Sequence, residues 1–154
     1  MSEPGGPAVG GPRETFEHMR QQWLGEANRG FVDALADDVV IEMPFAPPGR
    51  PRRIAGRREW LAYAQAARAD LPVRFEACRN VVIHETADPE VIVVEYELAG
   101  IVTTTNQRAA APFIGVLRVR NGKIAGWREY QDALAIAQAL GQLPDLHATA
   151  ADNP

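Results

Sequence analysis

The sequence predicts an α+β domain in which helices cover one face of a curved sheet. Three observations carry that expectation. Helical periodicity of apolar residues dominates the chain up to Pro72, whereas the segments beyond it are rich in β-branched and aromatic residues. Turn signals at Asp88-Pro89, Asn106-Gln107 and Asn121-Gly122 cut that second half into consecutive hairpins. A short apolar segment, "ALAIAQALG", closes the domain as a last helix. A sheet bent over helices forms a cone with an open mouth, and such concavities are where small ligands bind.

The elements follow in order. Residues 1–12 are rich in Gly and Pro with few apolar anchors, and read as a disordered tail. "RETFEHMRQQWLGEA" places Phe16, Met19, Trp23 and Ala27 at helical spacing, so that one face is buried. "GFVDAL" continues as a short helical segment carrying Phe31, Ala34 and Leu35. "DDVVIEMPF" reads as a strand ended by Pro44 and the loop "APPGRPRR". "RREWLAYAQAARADL" is the next helix, with Trp60, Leu61, Ala64 and Ala67 as inner positions. Four strands follow: "VRFEACRNVVIHE", "EVIVVEYELAGIVTTT", "AAPFIGVLRVR" and "GKIAGWREYQD". One domain thus spans residues 13–141, and residues 142–154, beyond Gly141, read as a loose C-terminal tail.

Composition narrows the function classes. The chain has 154 residues, 46% hydrophobic and 23% charged, which suits one globular domain with one core. A formal charge of −4 argues against nucleic acid as the main partner, because phosphate binding calls for a basic surface. A single cysteine, Cys78, suits a reducing cytosol, and neither a signal-peptide pattern nor a membrane-length apolar run is present. The expectation is a soluble cytoplasmic domain without nucleic-acid or membrane partners.

Cofactor and metal motifs are missing as well. The sequence has no GxxxxGK[ST], GxGxxG after a strand, HExxH or CxxC pair. His18, His84 and His147 lie on a helix, a strand and a tail, with no metal-ligand spacing. No Ser or Cys sits in a nucleophile elbow, and Cys78 reads as a small buried filler. No cofactor and no metal are therefore expected, and any catalysis would rest on carboxylates and water.

The direction of those carboxylates decides the rest. Strand alternation puts Glu95 and Glu97 on one face and Ile92, Val94, Tyr96 and Leu98 on the other. Trp127, Glu129 and Gln131 share a face of the last strand, opposite Arg128, Tyr130 and Asp132, while Glu42 shares its face with Val40. Alternation alone assigns the Glu side to water. Two details oppose this: "VIVV" is apolar on both faces just before Glu95, and Trp127 stands beside Glu129.

"GVLRVRNGKIAGWREYQD", residues 115–132, closely resembles the last hairpin of limonene-epoxide-hydrolase-like proteins. These form part of the SnoaL-like branch of the nuclear transport factor 2-like (ketosteroid-isomerase-like) superfamily. "VVIEMPFAPPGRPRRIAGR", residues 39–57, is similar to the first strand and loop of the same group. "REYQDALAIAQALG" resembles the phenazine-biosynthesis B-type proteins of that branch. The resemblance implies a cone-shaped barrel, made of a strongly curved mixed, mostly antiparallel sheet wrapped around the N-terminal helices. In the epoxide hydrolases an Asp-Arg-Asp set acts with a Tyr and an Asn that hold water. The final-strand Asp falls on Glu129, the Arg-x-Asp pair on Glu95 and Glu97, and the Tyr-x-Asn pair on Val40 and Glu42. With the Arg and Asn positions changed to Glu and the Tyr to Val, the same epoxide hydrolysis is not expected.

The resemblance implies instead that Glu42, Glu95, Glu97 and Glu129 project into one apolar cone. Crowding and desolvation there would raise carboxyl pKa values from about 4.3. Glu129 and one of Glu95 or Glu97 would then exchange a proton with substrate, and Glu42 would position a polar group. Trp23, Tyr63, Phe113 and Trp127 would form apolar wall, with Gln131 on the pocket side. The expected function is a cofactor-independent cyclase, isomerase, dehydratase or epoxide-opening enzyme acting on a hydrophobic, polyketide-like natural-product intermediate. The alternative is a non-catalytic ligand-binding or dimerisation protein of the same fold. Two partner contacts are also expected: a homodimer through the Ile92/Val94/Tyr96/Leu98 row, and a carrier-protein or anion contact at the arginines of residues 50–58 (Arg50, Arg52, Arg53, Arg57, Arg58).

Overall fold

The computed structural model describes residues 10–25 and 33–142. Helix α1 (Pro12–Leu24) starts with a proline in its first turn, where the missing N–H costs nothing. It buries Phe16 and Met19, with Trp23 one turn further on the same face. Ala27 and Phe31, the expected tail residues 1–9 and most of the expected C-terminal tail lie outside the described residues. Leu35, expected at the end of a helical segment, instead opens strand β1 (Leu35–Glu42) and is 1% exposed. Its apolar side chain fits a strand facing the core as well as it fits a helix.

After β1 comes a short strand, β2 (Arg53–Ala55), which starts at the last residue of the expected loop and was not predicted from the sequence. Helix α2 (Arg57–Asp70) follows. Then come β3 (Val73–Glu85), β4 (Val91–Val102), β5 (Gln107–Arg120), β6 (Lys123–Gln131) and α3 (Ala133–Ala139). The β5–β6 turn is Asn121-Gly122, both at positive φ (52° and 72°), the conformation a two-residue hairpin demands. Asp132 caps α3 by accepting a hydrogen bond from the Ala135 N–H at 2.9 Å. No described helix is long and apolar enough to cross a membrane.

The six strands form one sheet in the order β2-β1-β6-β5-β4-β3. The β1–β6 pair is parallel and the other pairs are antiparallel, so the sheet is mixed and mostly antiparallel as expected. The expected cone is present as a curled sheet with two free edges, β2 and β3. Its curl has a local cause. Register shifts break the β3–β4 ladder between Phe75 and Ala77 and between Arg79 and Val82, and extra residues on one strand bend it. At the first of these shifts a side chain on Gly100 would collide with the Arg74 carbonyl, so only glycine lets the two backbones close up.

The hollow of the curl is the core. Ile92, Val94 and Tyr96 of β4 are 4%, 0% and 2% exposed and pack with Phe16, Met19, Leu117 and Trp127, with Leu98 against their edge. This corrects the expected face assignment. The row read as an outward dimer surface is the inner face, because an apolar row of that length loses most by staying in water. It is therefore unavailable to a partner.

Gly115 controls how this core fills. It lies on the inner face opposite Glu129, and a Cβ there would overlap the Trp127 indole. The missing side chain lets the ring lie across the strand. Gly115→Ala should therefore cost about 1–3 kcal/mol by overpacking. Denaturant unfolding, read by tryptophan emission, measures this loss; an unchanged midpoint would show that the indole has room to move.

Candidate active site

Between α1, α2 and the inner sheet lies a cavity of about 380 Å³, within the range used for small ligands. Its floor is Met19 and Ile41, its aromatic walls are Trp23, Trp60 and Trp127, and Met43 completes the β1 side. Helix α2 supplies Trp60, Leu61, Ala64, Gln65 and Arg68. These positions recur at the three- and four-residue spacing of one helical face. Trp60, Leu61 and Ala64 are half-buried while Gln65 and Arg68 are exposed, so the last turns of α2 stand at the mouth.

One carboxyl group lines this cavity among the described residues, that of Glu129. Tyr96 donates a hydrogen bond from its hydroxyl to Glu129 Oε2 at 3.0 Å, and Trp127 Nε1–H donates more weakly to the same oxygen at 3.4 Å. Burial among aromatic rings pushes the Glu129 carboxyl above the ordinary carboxylate range, and the two donors oppose this without cancelling it. Tyr96 is itself held well above its ordinary value, first by burial and then by the neighbouring carboxylate, so it stays a neutral donor. Its ring packs against Trp23 at 5.3 Å and stacks on Phe113 at 5.3 Å and 7°. Aromatic packing on several sides thus fixes the hydroxyl that holds Glu129.

The other expected carboxylates lie elsewhere. Glu95 is on the outer face, its Oε2 2.6 Å from His84 Nε2, and Glu97 beside it accepts a hydrogen bond from Arg79 Nε at 2.6 Å. Both are cross-strand partners on a wet surface. Glu42 shares its face with Arg128, while its neighbours Ile41 and Met43 point into the cavity. The three glutamates are corrected to the outside for one physical reason: water solvates a carboxylate more cheaply than an apolar cone does.

Of the expected wall, Trp23 and Trp127 line the cavity. Tyr63 packs on Trp60 at 5.7 Å, one layer behind the lining. Phe113 and Gln131 pair on the inner face but are not part of the lining. The arginines of residues 50–58 also stay out, and Arg57 pairs with Asp37 at 3.1 Å. Gln65 and Arg68 were not singled out from sequence, although they continue the helical stripe of Leu61 and Ala64, and Tyr96 was named only within the row expected to face outward. Among the described residues no group of three or more His, Cys, Asp or Glu is placed to hold a metal.

Comparison with known proteins places this geometry in context. A family model described as "SnoaL-like domain" matches residues 16–127. An uncharacterized PhzA/B-like protein of Pseudomonas aeruginosa is 35% identical over 113 residues, covering 73% of this chain and 78% of that one. A Bacillus subtilis structure provisionally assigned as an isomerase superposes with a TM-score of 0.78 at 23% identity, over 85% of this chain and 93% of its own. A Xanthomonas campestris structure provisionally assigned as a polyketide cyclase gives 0.68 at 17% identity, over 84% and 96%.

The raised Glu129 pKa has a stability consequence. The folded chain holds this proton more tightly than the unfolded chain, where the value is about 4.3. The stabilisation is complete below that pH and is lost as pH rises through the folded value. Glu129→Gln has no proton to lose, so its Tm should gain on that of the natural chain across this window. Thermal melts of the two at several pH values test this; parallel curves would contradict a raised value.

Proposed function

The chain belongs to the SnoaL-like domain family of the ketosteroid-isomerase-like fold, and from that premise we propose a cofactor-independent enzyme of the cyclase or isomerase type. Its substrate is a hydrophobic, polyketide-like molecule, and Glu129 carries the proton. One observation supports this above all: both donors to Glu129 meet Oε2, and among the described residues none meets Oε1. One oxygen is anchored and the other is left for a ligand in an apolar cavity.

The chemistry follows from that asymmetry. Desolvation favours the neutral acid, which can give its Oε1 proton to a substrate carbonyl oxygen. The carboxylate that results is stabilised on Oε2 by the Tyr96 hydroxyl and the Trp127 N–H. It then takes a proton from a neighbouring substrate atom and returns to its starting state. Acid and base are one group used twice, in place of a pair of carboxylates. Trp23, Trp60 and Trp127 offer faces to a flat substrate and keep water from the transfer. The provisional assignment of neighbours of this fold as polyketide cyclases and as an isomerase is in keeping with such a step.

The test does not require the natural substrate. β-Tetralone, a flat ketone with exchangeable α-hydrogens, should bind and exchange them with heavy water faster than in buffer. Glu129→Gln should slow this exchange about 100-fold or more while leaving binding, read by tryptophan quenching, intact. Full exchange in that variant would exclude Glu129 as the proton carrier. Binding without exchange by the natural chain would favour a ligand-binding protein.

Tyr96→Phe offers a second test. The Tyr96 hydrogen bond lowers the Glu129 pKa, so removing it should raise that value further. The alkaline limb of the pH–rate profile, where the acid form is lost, should move to higher pH, and the rate should fall about tenfold or more. An unmoved limb would show that the hydroxyl does not act on the carboxyl.

A further inference from the structure

From the polar groups of the cavity mouth we infer that the substrate carries an anionic group, a carboxylate in the simplest case, which Arg68 binds while Gln65 supplies a hydrogen bond. This deepens the proposed function and rests on the same cavity being the substrate site. Among the described lining residues Arg68 is the one cation and Glu129 the one acid, and apolar side chains make up the lining apart from these two and Gln65. Arg68 and Gln65 lie one turn apart on α2 and both are exposed, whereas Trp127, beside Glu129, is 6% exposed. The cavity is therefore polarised, with a cation at its mouth and a proton carrier within an apolar wall.

A basic residue in the last turn of a helix complements the helix dipole whatever it faces, and this alone would explain an arginine at position 68. It does not explain why the side chain lines the cavity, on the stripe that carries Leu61, Ala64 and Gln65. The planar guanidinium offers two parallel N–H groups to a carboxylate. The chain carries a net charge of −4, so an anionic ligand gains nothing from the overall field and depends on a local cation. The arginines of residues 50–58 do not line the cavity, which among the described residues leaves this role to Arg68. Placing the charge at the mouth also keeps the substrate anion in contact with water, so its binding does not carry the desolvation cost of a buried ion. The group that reacts then faces inward toward Glu129.

Two probes of one shape separate charge from fit: 2-naphthoate and the neutral 2-naphthamide, titrated by calorimetry. The natural chain should bind naphthoate about tenfold more tightly, the lower end of what a charge-assisted hydrogen bond contributes. The preference should shrink in high salt, because the site is exposed. Arg68→Met should abolish the preference with naphthamide affinity unchanged, and Arg68→Lys should retain part of it. Glu129→Gln should leave the preference intact, which separates this inference from the proton-transfer reading. Equal affinity for both probes, or an undiminished preference in Arg68→Met, would overturn the anion site. Binding of neither probe would overturn both the anion site and the cavity as a substrate site. Preference for naphthoate without β-tetralone exchange would uphold the anion site and reject the enzyme reading.

Discussion

The hydrogen bond from Tyr96 to Glu129 is the contact on which the site depends. It joins β4 to β6 across the strand between them, beside the Trp127 indole that lies where Gly115 has no side chain. A carboxyl group among aromatic rings is costly to bury, and an ionised one more so. The Tyr96 hydroxyl offsets part of that cost, and a hydroxyl can do so only if its ring cannot turn away. Phe16, Trp23, Phe113 and Trp127 provide that restraint, each with a ring centroid 5.3–6.3 Å from that of Tyr96. The apolar core and the polar centre are thus the same set of side chains. Stability and chemistry cannot be tuned separately here, because loosening the rings would free the carboxyl.

The fold was legible in the sequence because its signals are periodic. The strand limits of Val73–Glu85 and Lys123–Gln131, and helix Arg57–Asp70, follow from alternation, turn residues and helical spacing. The short strand Arg53–Ala55 was not legible, since three residues between arginines and a glycine carry no period. The site was legible in its last strand and in Trp23 of α1. The resemblance in residues 115–132 placed Trp127 and Glu129 on the inner face, where they are. Carried to β4 and β1, the same resemblance turned Glu95, Glu97 and Glu42 inward, against the alternation of their own strands. Alternation was the better guide there, because solvation of charge acts on each strand directly. The lengthened and replaced residues at those positions are consistent with side chains that no longer face the cavity.

The outer face has a different character. Its charges are matched across neighbouring strands, His84 with Glu95 and Arg79 with Glu97, and Arg118 of β5 pairs with Asp88 in the β3–β4 turn. Such exposed pairs contribute little stability each. They do spare the sheet a wet row of like charges, and they occupy acids that could otherwise be mistaken for catalytic ones. Val82 and Ile114 are 48% and 42% exposed on this same face, so it mixes apolar and ionic surface. The inner face contrasts with this, since there one acid and one tyrosine stand among aromatic rings.

The parallel pairing of β1 with β6 sets when the site can exist. Ile41 lies beside Trp127 in that ladder, with about two thirds of the domain between them in the chain. Contacts this distant in sequence form slowly, because a long loop must close before they return any energy. On a ribosome β6 is among the last elements made, so the cavity cannot close around a half-made chain. Until then Ile41, Met43 and the apolar stripe of α2 lack a lid. The earlier hairpin β3–β4 and helix α1 must shelter that surface, or a chaperone must. Maturation of the pocket is thereby tied to completion of synthesis, and truncation within the final strand should leave an aggregating chain rather than a folded domain with a weaker pocket.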